Sequence, residues 1–272
     1  MPSVLVTGAG RGIGLAITER MSAAGWTVYG TARSDSALAR LDSINNVHGI
    51  ALDITDRQTI ATLPQHLPAQ LDGVVNSAGI IVNGPVEGLA IDDLTRQFNV
   101  NVISQIAVTQ AALPAIRAAR GHIVFMSSVS GLITTPGTGA YSASKYAIES
   151  LGDALRMELR PWKIPVSLVE PGPIRTDMWG NALDEHDAMV DKLSAETRVL
   201  YADHLQGTRK LSGRLQKLAA DPNRVTKAVH HALTSSRPKR RYILDITSRV
   251  QKVAVGATPT ALTDRLLAAA TS

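Results

Sequence analysis

The sequence predicts a doubly wound α/β fold, a parallel sheet covered by helices on both faces. Two observations predict it. Short apolar runs rich in β-branched residues alternate with helix-period segments along the chain. The runs are also unbroken rather than alternating, as expected of strands buried on both faces. Right-handed crossovers then give the doubly wound arrangement. A length of 272 residues suits one such unit, and no repeat or low-complexity linker divides it, so a single domain over 1–272 is expected. Strands are expected at 4–7, 27–31, 47–52, 71–76, 122–127, 165–169 and 242–244, and helices near 12–24, 37–41, 56–66, 99–117, 141–159 and 225–233.

The first strand runs into Thr7-Gly8-Ala9-Gly10-Arg11-Gly12-Ile13-Gly14 before the first helix. Glycine permits a tight turn and lets backbone approach a pyrophosphate, while the helix N-terminus offers free N–H groups and a positive dipole end. The loop is expected to cradle a dinucleotide on Gly8, Gly10, Arg11, Gly12, Ile13 and Gly14. The spacing is Gly-x-x-x-Gly-x-Gly, and an ordinary glycine-rich turn would share it.

The second strand ends in Thr31-Ala32-Arg33, with no carboxylate to bond the ribose hydroxyls and repel a 2′-phosphate. Arg33 and Arg11 instead offer two guanidiniums to a phosphomonoester. NADP(H) is therefore expected over NAD(H). The third strand ends in Leu52-Asp53-Ile54, where Asp53 either accepts a bond from the adenine amine or caps the next helix. Asn76-Ser77-Ala78-Gly79 closes the fourth strand, and its small residues let a ribose lie against backbone. Asp53, Ile54, Asn76, Ala78 and Gly79 join the expected cofactor set.

The fifth strand ends in Ser127-Ser128, at the strand ends where open α/β sheets bind ligands. A hydroxyl there can hold a substrate oxygen. Next comes Tyr141-Ser142-Ala143-Ser144-Lys145 on a helix, where positions four apart share a face. A free phenol titrates near 10. A lysine cation beside it favours the phenolate and lowers that value, tuning the tyrosine for proton transfer to or from a substrate oxygen.

With these motifs in this order, the chain resembles the short-chain dehydrogenase/reductase family over roughly 3–244, a Rossmann-type fold. The match rests on Thr7-Gly8-x-x-x-Gly12-x-Gly14, Asn76-Ser77-Ala78-Gly79, Ser128, Tyr141-x-x-x-Lys145 and Pro171-Gly172. The resemblance implies roles. Tyr141 is the general acid/base. Lys145 binds the nicotinamide ribose and lowers the tyrosine pKa. Ser128, thirteen residues before the tyrosine, orients the carbonyl. Asn101 holds a water in a proton relay; Pro114, thirteen residues on, selects it over Asn99. Pro171, Gly172, Ile174 and Thr176 lie along the nicotinamide. The segments Val28-Tyr29-Gly30-Thr31-Ala32-Arg33, Asp221-Pro222 and Arg237-Pro238-Lys239-Arg240-Arg241-Tyr242 look like the steroid- and retinoid-dehydrogenase branch. The resemblance also implies a homodimer or homotetramer, paired through the helices beginning near Asn99 and Tyr141.

The stretch from Thr176 to Ala220 has no strand signal and is too long for a connection. Residues 177–220 are expected to form a helical lid. Met178, Trp179, Leu183 and Met189, with Ile80, Ile81 and Val82, suggest apolar walls for a lipophilic alcohol or carbonyl substrate. Residues 247–272 are expected to form a C-terminal extension, over either the site or a neighbouring subunit, and the sequence does not choose between them.

Composition bounds the rest. With 44% hydrophobic and 19% charged residues the chain has enough apolar mass for a full core. It holds no cysteine, which excludes disulfides, thiol nucleophiles and thiolate metal sites, and no metal is expected. No basic leader precedes an apolar run and no window of ~18 residues is unbroken apolar, so neither secretion nor membrane crossing is expected, and a cytoplasmic location is. The net charge of +5 is uneven: twelve Lys or Arg against two Asp between Leu205 and Lys252. That basic third is either a solvated face or a dock for an anionic partner such as an acyl carrier, and nucleic acid is not expected. Two further readings stay open. One is a 3-oxoacyl thioester reductase of acyl-chain metabolism; the other is a silent NADP-binding sensor, which would have no need of the tyrosine.

Overall fold

The computed structural model describes residues 1–176, 181–244 and 258–269. Seven strands form one parallel sheet: β1 (Ser3–Val6), β2 (Thr27–Ala32), β3 (Val47–Ala51), β4 (Gly73–Asn76), β5 (His122–Met126), β6 (Val166–Glu170) and β7 (Arg241–Ile243). Their order is β3-β2-β1-β4-β5-β6-β7. The order reverses beside β1, whose Leu5 pairs with Tyr29 on one side and Val74 on the other. That reversal opens a crevice at the C-terminal strand ends.

Successive strand residues point to opposite faces, so each strand feeds two cores. Val4, Val6, Val28, Val75 and Val124 pack with Ile17 and Met21 of α1 (Gly12–Ala23) and Val225 and Val229 of α10 (Asn223–Thr234). Leu5, Val74, Ile123 and Phe125 pack on the other side, under α5 (Ser104–Ala119) and α6 (Gly139–Glu158), against Val108, Ile116 and Ile148. The unbroken apolar strand runs follow from this double burial.

Local chemistry sets the remaining boundaries. α2 (Asp35–Asp42) starts where Ser34 Oγ accepts from Ala37 N. α3 (Arg57–Thr62) is capped by Asp56, whose Oδ1 accepts from Gln58 N, and runs into a 3₁₀ turn at Leu63–His66, where Pro64 has no N–H to give. The helix expected at 99–117 begins earlier. α4 (Ile91–Phe98) leads through a π-helical turn, Asn99–Ile103, into α5. Ile91–Ala119 is the one helical run among the described residues long and apolar enough to match a bilayer. Its apolar stripe (Val108, Ala112, Ile116) is fully buried in the core, which accounts for that character.

Residues beyond 180 form α7 (Ala182–Lys192), α8 (Ala195–Leu200) and α9 (Ala202–Leu218), after which Ala220 bridges back to Ile174. α11 (Thr260–Ala269) follows α10 and β7 in the chain. The expected lid residues Met178 and Trp179, and 247–257 of the extension, lie outside the described residues.

Candidate active site

The crevice is one continuous cleft of about 1540 Å³. Every residue expected to hold the cofactor lines it except Asn76. The glycine loop is shaped by close approach. Gly8 has φ +65°, and a Cβ there would stand 2.9 Å from Ala78 Cα. A Cβ on Gly10 would stand 2.8 Å from Ala37 Cβ. Thr7 Oγ1 accepts from Ser77 N and Ala78 N at 3.0 and 3.1 Å, so the ends of β1 and β4 are tied together. α1 begins at Arg11 with no side-chain cap and no acid in its first turn, leaving N–H groups and the dipole end to the cleft. Gly12 faces Thr176 across open space, where an added Cβ would meet nothing closer than 3.7 Å. These residues fit a dinucleotide's phosphates.

Arg11 and Arg33 both line the cleft, joined by Arg40, which sequence reasoning missed. Asp53 also lines it, but does not cap α3; Asp56 does. Asp53 Oδ1 instead accepts from Thr55 N and Thr55 Oγ1 at 2.9 and 2.7 Å. The backbone bond from Thr55, with help from Arg33, holds its carboxyl below the ordinary range.

The wall between β4 and the tyrosine helix is fastened by a ladder of four polar side chains. Thr109 Oγ1 accepts from Asn76 Nδ2 at 2.8 Å. Gln105 Nε2 donates to Ala78 O at 2.9 Å. Asn101 accepts from Ile80 N and donates to Ile80 O, both at 2.9 Å. Gln97 Oε1 accepts from Val82 N at 2.6 Å. Helix residues four apart, a rise of about 6 Å, thus meet every second residue of an extended segment, a rise of about 6.6 Å. Asn101 also donates to Ser144 Oγ at 3.3 Å, and Ser144 donates to Tyr141 O at 2.6 Å, so the ladder reaches α6.

The side chain of Asn101, the residue expected to serve a water relay, is 0% exposed behind the wall and bonded to Ile80 and Ser144, and its backbone lies in the π-helical turn. One expectation is corrected here: Asn76, expected to touch the cofactor, is equally buried, off the cleft and held by Thr109. Sequence reasoning missed Gln97, Gln105 and Thr109. Their signal was the four-residue spacing of polar side chains at 97, 101, 105 and 109 along one helical run.

Tyr141, Lys145 and Ser128 meet at the end of β5, on the cleft wall. Lys145 Nζ lies 5.6 Å from the Tyr141 ring centre and donates to Met126 O at 2.7 Å. Ser128 Oγ accepts from Ser130 N at 3.1 Å, opening the turn that follows β5. The electrostatics differ from expectation. Burial pushes the Tyr141 phenol up, and a hydrogen bond with Ser128 pulls it partly back. Burial also pushes Lys145 down to about 8, with Glu149 opposing. Each charged form loses hydration on burial, and that sets the direction of both shifts.

The outer wall comes from α7 and α9. Tyr201 and then His204, Leu205, Thr208, Leu211, Ser212, Leu215 and Leu218 of α9, a stripe of helical period, line the cleft. Ile80, Ile81 and Met189 line it as expected. Val82 is instead buried behind the wall, and Leu183 lies beside Gly213 of α9 rather than on the cleft. Leu267 of α11 reaches the cleft as well. Tyr201 ties the rim by donating to Glu87 Oε2 at 2.7 Å.

Comparison with known proteins agrees with this geometry. Residues 2–187 match the family model described as short chain dehydrogenase. The chain is 30% identical, over 98% of its length and 96% of the relative's, to an NADPH-dependent 3-dehydrocapnine reductase of Ornithobacterium rhinotracheale. It is 31% identical to mouse retinol dehydrogenase 16, over 97% of this chain and 87% of that one. A crystal structure of a short-chain dehydrogenase from Streptomyces avermitilis superposes with a TM-score of 0.77 at 29% identity, covering 97% of each chain. The chain therefore belongs to the short-chain dehydrogenase/reductase family of oxidoreductases, in its steroid- and retinoid-dehydrogenase-like branch.

Proposed function

We propose that the protein interconverts a lipophilic alcohol and its ketone or aldehyde, using NADP(H), with Tyr141 moving the proton. The observation that carries this reading is the meeting of Tyr141, Lys145 and Ser128 on the wall of the cleft that also holds the glycine loop. The nicotinamide, when bound, supplies or accepts the hydride. Ser128 donates to the substrate oxygen and sets it beside the phenol. Tyr141 gives its proton to that oxygen in reduction and takes it back in oxidation. Burial keeps the phenol protonated through neutral pH, which suits the acid role. The Lys145 ammonium favours the phenolate left behind.

NADP(H) is supported by Arg11, Arg33 and Arg40 on the cleft wall, by the missing acid after β2, and by the NADPH dependence named for the 30% identical relative. A lipophilic substrate is supported by Ile80, Ile81, Met189, Leu205 and Leu211 around the rest. Helices α7 to α9 serve as its lid. Exposed Ile103, Tyr146, Leu151 and Met157, on the π turn and α6, support self-association through that side. The test is NADPH oxidation against steroids, retinoids, medium-chain ketones and acyl thioesters. Turnover of lipophilic ketones is expected; turnover of carrier-bound thioesters alone, or with NADH alone, overturns the reading.

A further inference from the structure

Behind Lys145, away from the cleft, charged groups join α6 to β6 and β7. Glu149 stands four residues after Lys145, one turn along the same helix face. Its side chain is 8% exposed, and Oε2 accepts from Arg241 Nε at 2.9 Å. Arg241 Nη2 also donates to Asp153 Oδ2 at 2.7 Å, and its Nε lies 3.2 Å from Glu170 Oε1 at the end of β6. Asp153 accepts in turn from Arg156 Nη2 at 2.9 Å. The second Glu149 oxygen, Oε1, is buried without a hydrogen-bond partner among the described residues. A buried carboxylate is costly unless positive charge matches it. Its guanidinium partner is shared with Asp153 and Glu170, and the next cation along the helix is Lys145.

Glu149 packs beside the Lys145 backbone: a Cβ on Gly131 would stand 3.1 Å from both Glu149 Cγ and Lys145 O. Among the described residues, the charged or titratable groups around Lys145 are Tyr141 and Glu149 on its own helix, with Glu170 and Arg241 from β6 and β7 beyond Glu149. β5 and the turn after it contribute the Met126 carbonyl and the Ser127 and Ser128 hydroxyls. The helix across contributes the neutral amides of Gln97, Asn101 and Gln105.

We propose that Glu149, clamped by Arg241, is a positioning residue whose charge holds Lys145 in its ammonium form beside Tyr141. The proposal rests on the reading above, in which that ammonium serves the tyrosine. Burial pushes Lys145 down and Glu149 pulls it up, which agrees with the arrangement.

The test follows Lys145 itself. In full-length protein with ¹³C-labelled lysine, the Lys145 resonance is identified with Lys145→Met and titrated by NMR. Glu149→Gln should lower its midpoint by about one pH unit, and Glu149→Asp, which withdraws the charge by one methylene, should lower it by less. The alkaline edge of the rate profile should move the same way. An unchanged midpoint in Glu149→Gln overturns the proposal; if that variant does not fold, an unchanged midpoint in Glu149→Asp does so. A midpoint that moves while the rate profile stays fixed upholds Glu149's hold on Lys145 and refutes instead the part given to Lys145 in the reaction.

Discussion

Replacing Asn101 by alanine unfastens the cleft wall that carries Ile80 and Ile81, and the structure sets the size of the effect. Two 2.9 Å bonds to Ile80 are lost, along with a longer 3.3 Å bond to Ser144, whose hydroxyl still donates to Tyr141 O. Ile80 O keeps a partner, since Gln97 Nε2 donates to it at 3.0 Å. Ile80 N–H keeps none among the described residues. One orphaned donor costs about 1–3 kcal/mol and the second lost bond about 1 kcal/mol, so a loss of about 3 kcal/mol is expected. For a domain of this size that lowers the melting temperature by about 6–12 °C. Residues 80 and 81 line the cleft, so their displacement should also cost turnover, about 100-fold if they move by about 1 Å. Differential scanning calorimetry and steady-state NADPH oxidation on one preparation read both effects. A melting point within about 2 °C of the parent, with undiminished turnover, would refute the ladder as the device that holds this wall.

Three further outcomes are expected. Arg33→Ala should weaken NADPH binding about tenfold, the worth of one charge-assisted contact, and leave NADH untouched; equal weakening of both contradicts the cofactor assignment. Turnover in the reducing direction should fall as pH rises through about 8, where Lys145 loses its charge, and hold steady below that, because Tyr141 is raised and stays protonated; a rate that climbs through this range contradicts the role of the ammonium. Leu211→Gln, on the cleft face of α9, should lower kcat/KM for a lipophilic ketone about tenfold while NADPH affinity, read by fluorescence titration, stays put.

Most of the sheet was legible because strands buried on both faces write their burial directly into local composition. The glycine loop and the Tyr141–Lys145 pair were legible because both depend on residues close in sequence. The start of α4 was not, since Ile91, Leu94 and Phe98 are its only apolar residues and buried Gln97 reads as solvent-facing. The polar ladder was present as a four-residue spacing, but its meaning depends on an extended partner some fifteen to thirty-three residues away. Asn101 shows this: its amide bonds the backbone of Ile80, 21 residues away in sequence. Arg241 lies 92 residues from Glu149, so no local pattern could join them. The direction of the Tyr141 shift needed the depth of the cleft, which spacing alone does not carry.

The proposed reaction turns on the phenol at position 141, and the most direct measurement is NADPH turnover and NADPH binding in Tyr141→Phe. The ring and its packing remain while the proton is gone. Turnover should fall by about 100- to 10,000-fold with cofactor affinity unchanged. Turnover near that of the parent would contradict the account.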